Sequence, residues 1–145
     1  MRELGVRSHH RGRVYLTGGA SLMVLGLRDS AIDIDFISDD DPVMRVAAAL
    51  RDELCINVDR ERPRFAPPGW EERSPFIARE CELSIHHLDW YTHALANLER
   101  GHTRDMADMR AMLQHGLVLP HVLRTFLGQV LLDRAAVRRA VESLQ

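Results

Sequence analysis

The sequence predicts one α/β domain, a mixed sheet of the α+β kind with helices gathered in its C-terminal third. Three observations carry that prediction. A β-rich run, RVYLT at residues 13–17, ends on a glycine pair; apolar and acidic residues alternate strictly from Ile32 to Phe36; and after His87 helical patterns follow one another almost without a break. With 145 residues, 46% of them apolar, the chain can bury a core without disulfides or a structural metal, and we read it as a single domain over residues 1–145.

Each element follows from local chemistry. RVYLT is rich in strand formers and runs into Gly18-Gly19. The stretch behind it, with Ala20, Leu22, Met23, Leu25 and Leu27, is apolar almost all round and predicts a helix buried against the sheet. At Ile32 the period changes to two. Ile32, Ile34 and Phe36 then share one face of a strand, and Asp33 and Asp35 share the other. Asp41-Pro42 reads as a cap and first-turn proline, followed by the stripe Val43, Val46, Ala47, Leu50 and Leu54.

Ile56 and Val58 mark a further strand, with Asn57 and Asp59 opposite them. Residues 60–75 contain Pro63, Pro67, Pro68 and Gly69 and read as a loop that Trp70 plugs; base stacking is that residue's functional alternative. Residues 76–78 and 83–85 predict a hairpin, although its Glu80-Cys81 turn lacks glycine or asparagine. Helices are expected over 89–99, 103–115, 120–129 and 133–144, with Gly101 and Gly116 at C-terminal caps and Met106, Met109 and Leu113 as a core stripe.

Composition excludes several classes of function. No apolar run approaches the roughly 20 residues of a membrane span, and Arg2, Glu3 and Arg7 interrupt any signal-peptide pattern. Cys55 and Cys81 read as reduced core thiols, so the expected location is cytoplasmic. The net charge of -2 does not describe a surface that coats nucleic acid. All 19 cationic residues are arginine, which rules out lysine chemistry and leaves bidentate phosphate grips available. His9-His10 and His86-His87 are adjacent pairs, a poor arrangement for a zinc site.

The chemistry lies in the relation between the glycine pair and the two aspartates. Gly18-Gly19 at a strand-to-helix turn lets backbone N–H groups approach a phosphate, and Ser21 adds a hydroxyl in the first turn. After a spacer of thirteen residues from Gly19, Asp33 and Asp35 stand two apart on one strand and can bridge hard divalent cations. A second cluster, Arg100, Arg104, Asp105 and Asp108, has two readings. The arginines reach a triphosphate and Asp105 orients one of them; or Thr103 caps a helix, Asp105 complements its dipole and Arg104 pairs with Asp108. Arg28 is likewise a phosphate contact or a helix-end cation.

The glycine pair, the spacer and Asp33-Ile34-Asp35 resemble the signature of the nucleotidyltransferase superfamily of DNA polymerase β type, with Thr17 departing from the hydrophobic residue usual before the glycines. The string GGASLMVLGLRDSAIDIDF, with Arg28-Asp29-Ser30 ahead of the aspartates, is similar to the minimal bacterial branch that includes abortive-infection and toxin–antitoxin nucleotidyltransferases. FAPPGWEERSPFI and LERGHTRDMADMRAML are similar to an uncharacterised minimal group of that superfamily. The resemblance covers about residues 13–118 and leaves C-terminal helices over about 119–145.

It implies a nucleotidyltransferase-like fold and a Mg²⁺-dependent transfer, with Mn²⁺ as the alternative ion, of a nucleoside monophosphate from an NTP to a hydroxyl on RNA, protein or a small molecule. Asp33 and Asp35 would hold the metal. The family's third acid falls to Asp59, at a strand end. Gly18, Gly19, Ser21, Arg28, Arg100, Arg104 and Asp105 would meet the nucleotide. Each has a plainer reading: a tight turn for the glycines, a solvated strand face for the aspartates, a loop residue for Asp59. The rival function is a catalytically silent copy of the fold that acts as a binding or antitoxin-like partner. A chain this small is expected to complete its cleft with a homodimer or a partner encoded nearby, and the stripe Ala136, Val137, Ala140, Val141 and Leu144 is offered for that contact or for the chain's own core.

Overall fold

The structure is a computed structural model that describes residues 1–54, 56–59 and 63–143; side chains are described for these except residues 56, 58, 59, 132 and 135–143. In chain order the elements are α1 (Arg2–Ser8), β1 (Gly12–Thr17), α2 (Gly18–Val24), β2 (Ile34–Ile37), α3 (Asp41–Leu54), β3 (Ile56–Asp59), α4 (Trp70–Arg73), β4 (Phe76–Glu80), β5 (Leu83–His87), α5 (Trp90–Arg100), α6 (Thr103–Gln114) and α7 (Pro120–Ser143). The five strands form one mixed sheet in the order β3-β2-β1-β5-β4. β1 lies at its centre, antiparallel to β2 and parallel to β5. β2 and β3 are parallel, and β4 and β5 form the expected hairpin.

Period two sorts the strands into two faces. Val14, Leu16, Phe36, Leu83 and Ile85 form the main core with Leu4 of α1 and Val43, Ala47 and Leu50 of α3. On the opposite face Tyr15 and Ile37 pack with Trp70 and Leu88. Trp70 is the plug the sequence predicts, its ring edge-on to Tyr15 at 4.9 Å. A third core joins Leu22 of α2 to α5, α6 and α7 through Trp90, Ala94, Leu95, Met109, Met112 and Leu123.

Several expectations need correction. α1 carries too short an apolar pattern to be read from sequence, and Gly5 interrupts it. That glycine is what lets the helix close on β4, because a Cβ there would lie 2.5 Å from the Glu80 carbonyl oxygen. β2 begins at Ile34, so Asp33 is in a bend before it and Ile32 is 77% exposed. The cause is the neighbouring strand: Thr17 pairs with Asp35, and Gly18 then turns into the left-handed region at φ 61, leaving residues before Ile34 without a β1 partner.

α2 is buried on one side only, with Met23, Val24 and Leu25 exposed. In α6 Met109 is buried as expected, but the next core residue is Met112, and Leu113 faces out. α7 is one helix, since no glycine or proline stands between Gln129 and Asp133 to end it. Cys81 is exposed and sits at the hairpin turn with φ 54, a left-handed conformation that glycine would adopt more readily. Cys55 lies outside the described residues, as do the side chains of the C-terminal stripe Ala136 to Leu144.

Candidate functional site

Where β1 ends, the chain needs a sharp entry into α2, and the glycine pair provides it. Gly18 takes φ 61, and a Cβ there would stand 3.2 Å from Asp35 Oδ2, so the aspartate carboxylate lies directly over the turn. A Cβ at Gly19 would collide with the Arg28 guanidinium, whose Cζ it would meet at 2.9 Å. The absence of both side chains is therefore what brings an acid and a cation onto this backbone.

The cross-strand register extends the site. Thr17 of β1 pairs with Asp35 of β2, and Asp35 pairs with Asn57 of β3. A hydroxyl, a carboxylate and an amide thus stand in a row across three strands. All three border a half-open cavity of about 720 Å³, with Gly18, Gly19 and Arg28 beside them. The helical side supplies the opposite wall: Glu99 and Arg100 from α5, and Arg104, Asp105 and Asp108 from α6. Pro63 and Arg64 close one edge.

The charged groups of this wall are held in ordered pairs. Asp105 grips Arg100 through both oxygens: Arg100 Nη2 donates to Oδ1 at 2.9 Å and Nε to Oδ2 at 3.2 Å. Arg100 Nη2 also donates to Asn97 Oδ1 at 2.9 Å. Asp105 in turn completes the capping box of α6, accepting from the His102 backbone. Burial pushes the Asp105 carboxyl up, but the Arg100 hydrogen bond and charge outweigh it and leave its pKa below the usual carboxylate value. The Arg100 guanidinium is held in its charged form by its hydrogen bond to Asp105, with Asp35 adding a weaker attraction.

Arg28 spans the chain to Asp108, Nη1 to Oδ2 at 3.5 Å. Burial raises the Asp108 pKa in spite of that neighbour. Arg104 is exposed on the rim and makes no ion pair with another side chain among the described residues.

The tertiary structure therefore brings Gly18, Gly19, Arg28, Asp35, Arg100, Arg104 and Asp105 to one cavity. Other expected residues lie elsewhere. Asp33 is exposed in the bend before β2 and does not border the cavity. Ser21 is fully buried, with its hydroxyl 2.8 Å from His87 Nδ1, so it ties α2 to β5 and is not the expected phosphate contact. Burial lowers the His87 pKa. Asp59 ends β3 opposite Ile37, two residues beyond the Asp35–Asn57 pair, and its side chain lies outside the described residues.

The plainer reading of the second cluster also changes. His102, and not Thr103, is the N-cap of α6, and Asp108 pairs with Arg28, not with Arg104. Thr17, Asn57, Arg64, Asn97 and Glu99 are site neighbours to which the sequence reading gave no role. Local signals existed for three: Thr17 directly precedes the glycines, Asn57 shares a strand face with Asp59, and Asn97 lies three residues before Arg100 in a helix.

The donors around Asp35 are all hard oxygens, the type that Mg²⁺ and Mn²⁺ select. Among the described residues no three acids, histidines or cysteines cluster tightly enough to hold a metal by themselves. A family model described as "Nucleotidyltransferase of unknown function (DUF6036)" matches residues 1–134. No curated protein matches the chain, and no solved structure does.

Proposed function

The chain belongs to this family of nucleotidyltransferases of unknown function, and from that premise we propose that it transfers a nucleoside monophosphate from an NTP to a hydroxyl acceptor in the cavity at Gly18, Gly19 and Asp35. The observation that carries the reading is the convergence of the glycine turn, Asp35 and four arginines, from separate parts of the chain, on one cleft.

The residues divide the work by their chemistry. Gly18 and Gly19 let a phosphate come close to the backbone. Arg28, over Gly19, and Arg104, on the rim, face the negative charge of the triphosphate and of the departing pyrophosphate. Arg100 is pre-oriented by Asp105 and Asn97, so it loses little freedom when it meets an anion. Asp35 is the carboxylate nearest the turn. Asp35, with Asp59 of the neighbouring strand as the further acid and Thr17 and Asn57 as neutral oxygen donors, would hold Mg²⁺; Asp33, outside the cavity, takes no part in that set. When bound, Mg²⁺ or Mn²⁺ would supply positive charge to the triphosphate and lower the pKa of the attacking hydroxyl. The acceptor is RNA, protein or a small molecule, and a homodimer or neighbouring partner would complete its binding.

The second reading, a silent copy of the fold that binds without transferring, has its own observation. The residue in register beside Asp35 is the amide Asn57, not an acid. Incubating the purified chain with each labelled NTP, Mg²⁺ and a cell extract's RNA and protein separates the two. Transfer predicts a nucleotide-sized mass increment on one acceptor, lost in Asp35→Asn. NTP binding with no labelled acceptor in any fraction would favour the silent copy.

A further inference from the structure

Beyond the first cavity lies a second, of about 670 Å³, between the proline loop and the middle of α7. We propose that it takes a nucleobase, an inference that rests on the nucleotidyl-transfer reading and extends it. Phe65 of the loop and Phe126 of α7 border this cavity. A guanidinium lies over each ring: Arg134 at 4.1 Å from the Phe65 centroid and Arg73 at 5.0 Å from that of Phe126. Gln129 and Asp133 stand on the α7 side.

Gln129 and Asp133 are solvent-exposed and give the cavity a polar side that an aliphatic ligand would not use. A nucleobase suits both parts of the lining. Its faces stack on phenyl and guanidinium planes, and its edge offers N–H and C=O groups to Gln129 and N–H groups to the acceptor-only Asp133.

The two cavities share a wall. Arg64 borders both. Glu99, on the first cavity, accepts through one oxygen from Arg64 Nη1 at 3.0 Å and from Arg134 Nη2 at 3.2 Å. A ligand whose phosphates sit in the first cavity therefore meets the second across one carboxylate, Glu99, paired with two arginines. Trp70, the aromatic that the sequence marks for stacking, is sealed against Tyr15, so Phe65, with the guanidiniums of Arg134 and Arg64 over its ring, is the loop aromatic that borders the cavity.

The base belongs either to the NTP or to the end of an RNA acceptor. Equilibrium binding by the full chain with Mg²⁺ distinguishes these, using three probes: an NTP, inorganic tripolyphosphate, and a short RNA with a free 3′ hydroxyl. Phe65→Leu keeps an apolar side chain but removes the ring. It should weaken binding of the base-bearing probe about tenfold and leave tripolyphosphate unchanged. Loss confined to the NTP assigns the site to the donor's base; loss confined to the RNA assigns it to the acceptor's.

Phe65→Trp should keep the affinity, with tryptophan fluorescence that changes on binding, and so guards against a folding defect in the leucine variant. Unchanged NTP and RNA affinities in a folded Phe65→Leu protein, or an equal loss for tripolyphosphate, would overturn the proposal alone. Wild-type protein that binds none of the three probes would overturn the nucleotidyl-transfer reading and this inference with it.

Discussion

The two faces of the sheet are built from alternate residues of the same strands, yet they end in different environments. On one face Val14, Leu16, Phe36, Leu83 and Ile85 are closed over by α1 and α3. On the other, closure is partial: Tyr15, Ile37, Trp70 and Leu88 seal the middle, while Thr17, Asp35 and Asn57 border an open cavity. The difference teaches that stability and chemistry are assigned here to neighbours in the chain, so that either can be changed with little effect on the other.

Asp35 and Phe36 give the largest test of that separation. Phe36→Ala empties a fully buried site and should cost about 3–5 kcal/mol in urea unfolding, while the folded fraction keeps its transfer activity. Asp35→Asn should lower the transfer rate about 100-fold or more and shift stability by about 1 kcal/mol or less. Equal loss of stability in both variants would break the comparison.

The comparison sharpens on α5, which brings polar groups into the interior on the cavity side. His93 is completely buried, and neither ring nitrogen has a hydrogen-bond partner among the described residues. Burial above all, with the Arg100 charge adding to it, lowers its pKa from 6.5 to about 4. Between those values the unfolded chain binds more protons than the folded one, so stability falls as pH falls from 6.5 towards 4. Its share between pH 7 and pH 5 should be about 2 kcal/mol. His93→Phe should remove that share; urea titrations at the two pH values, on both proteins, would show the slope flattening or would count against a neutral buried imidazole.

The smallest effect separates Gly19 from Ser21, two positions apart on one helix. Ser21→Ala breaks the bond to His87 and should cost about 1 kcal/mol of stability, with NTP affinity unchanged. Calorimetric binding to both proteins checks this, and a tenfold loss of affinity would return Ser21 to the phosphate site.

The residues that were legible follow local rules. The glycine turn, the alternation at Asp35 and the helix ends near Gly101 and Gly116 each depend on a few adjacent positions. Asp33 misled because alternation continues in the sequence to Ile32, whereas the strand ends where its partner β1 turns away at Gly18. Ser21 misled because α2 is apolar on nearly every side, so its pattern did not show which side faces β5.

The sequence by itself determined the order of the five strands and of α2, α3, α5 and α6 among them, the position of the glycine turn and the placing of Asp35 opposite Ile34 and Phe36, since backbone sterics and the periods of strand and helix act within a few residues. Only the tertiary structure decided the partners of the charges. Arg28 pairs with Asp108, 80 residues away, and one carboxylate on α5 receives both Arg64 and Arg134. Every cation in this chain is an arginine, chemically the same from position to position, so residue type could not say which acid each would find. The packing of α5 and α6 beside the open end of the sheet makes that choice, and with it the form of the cavity.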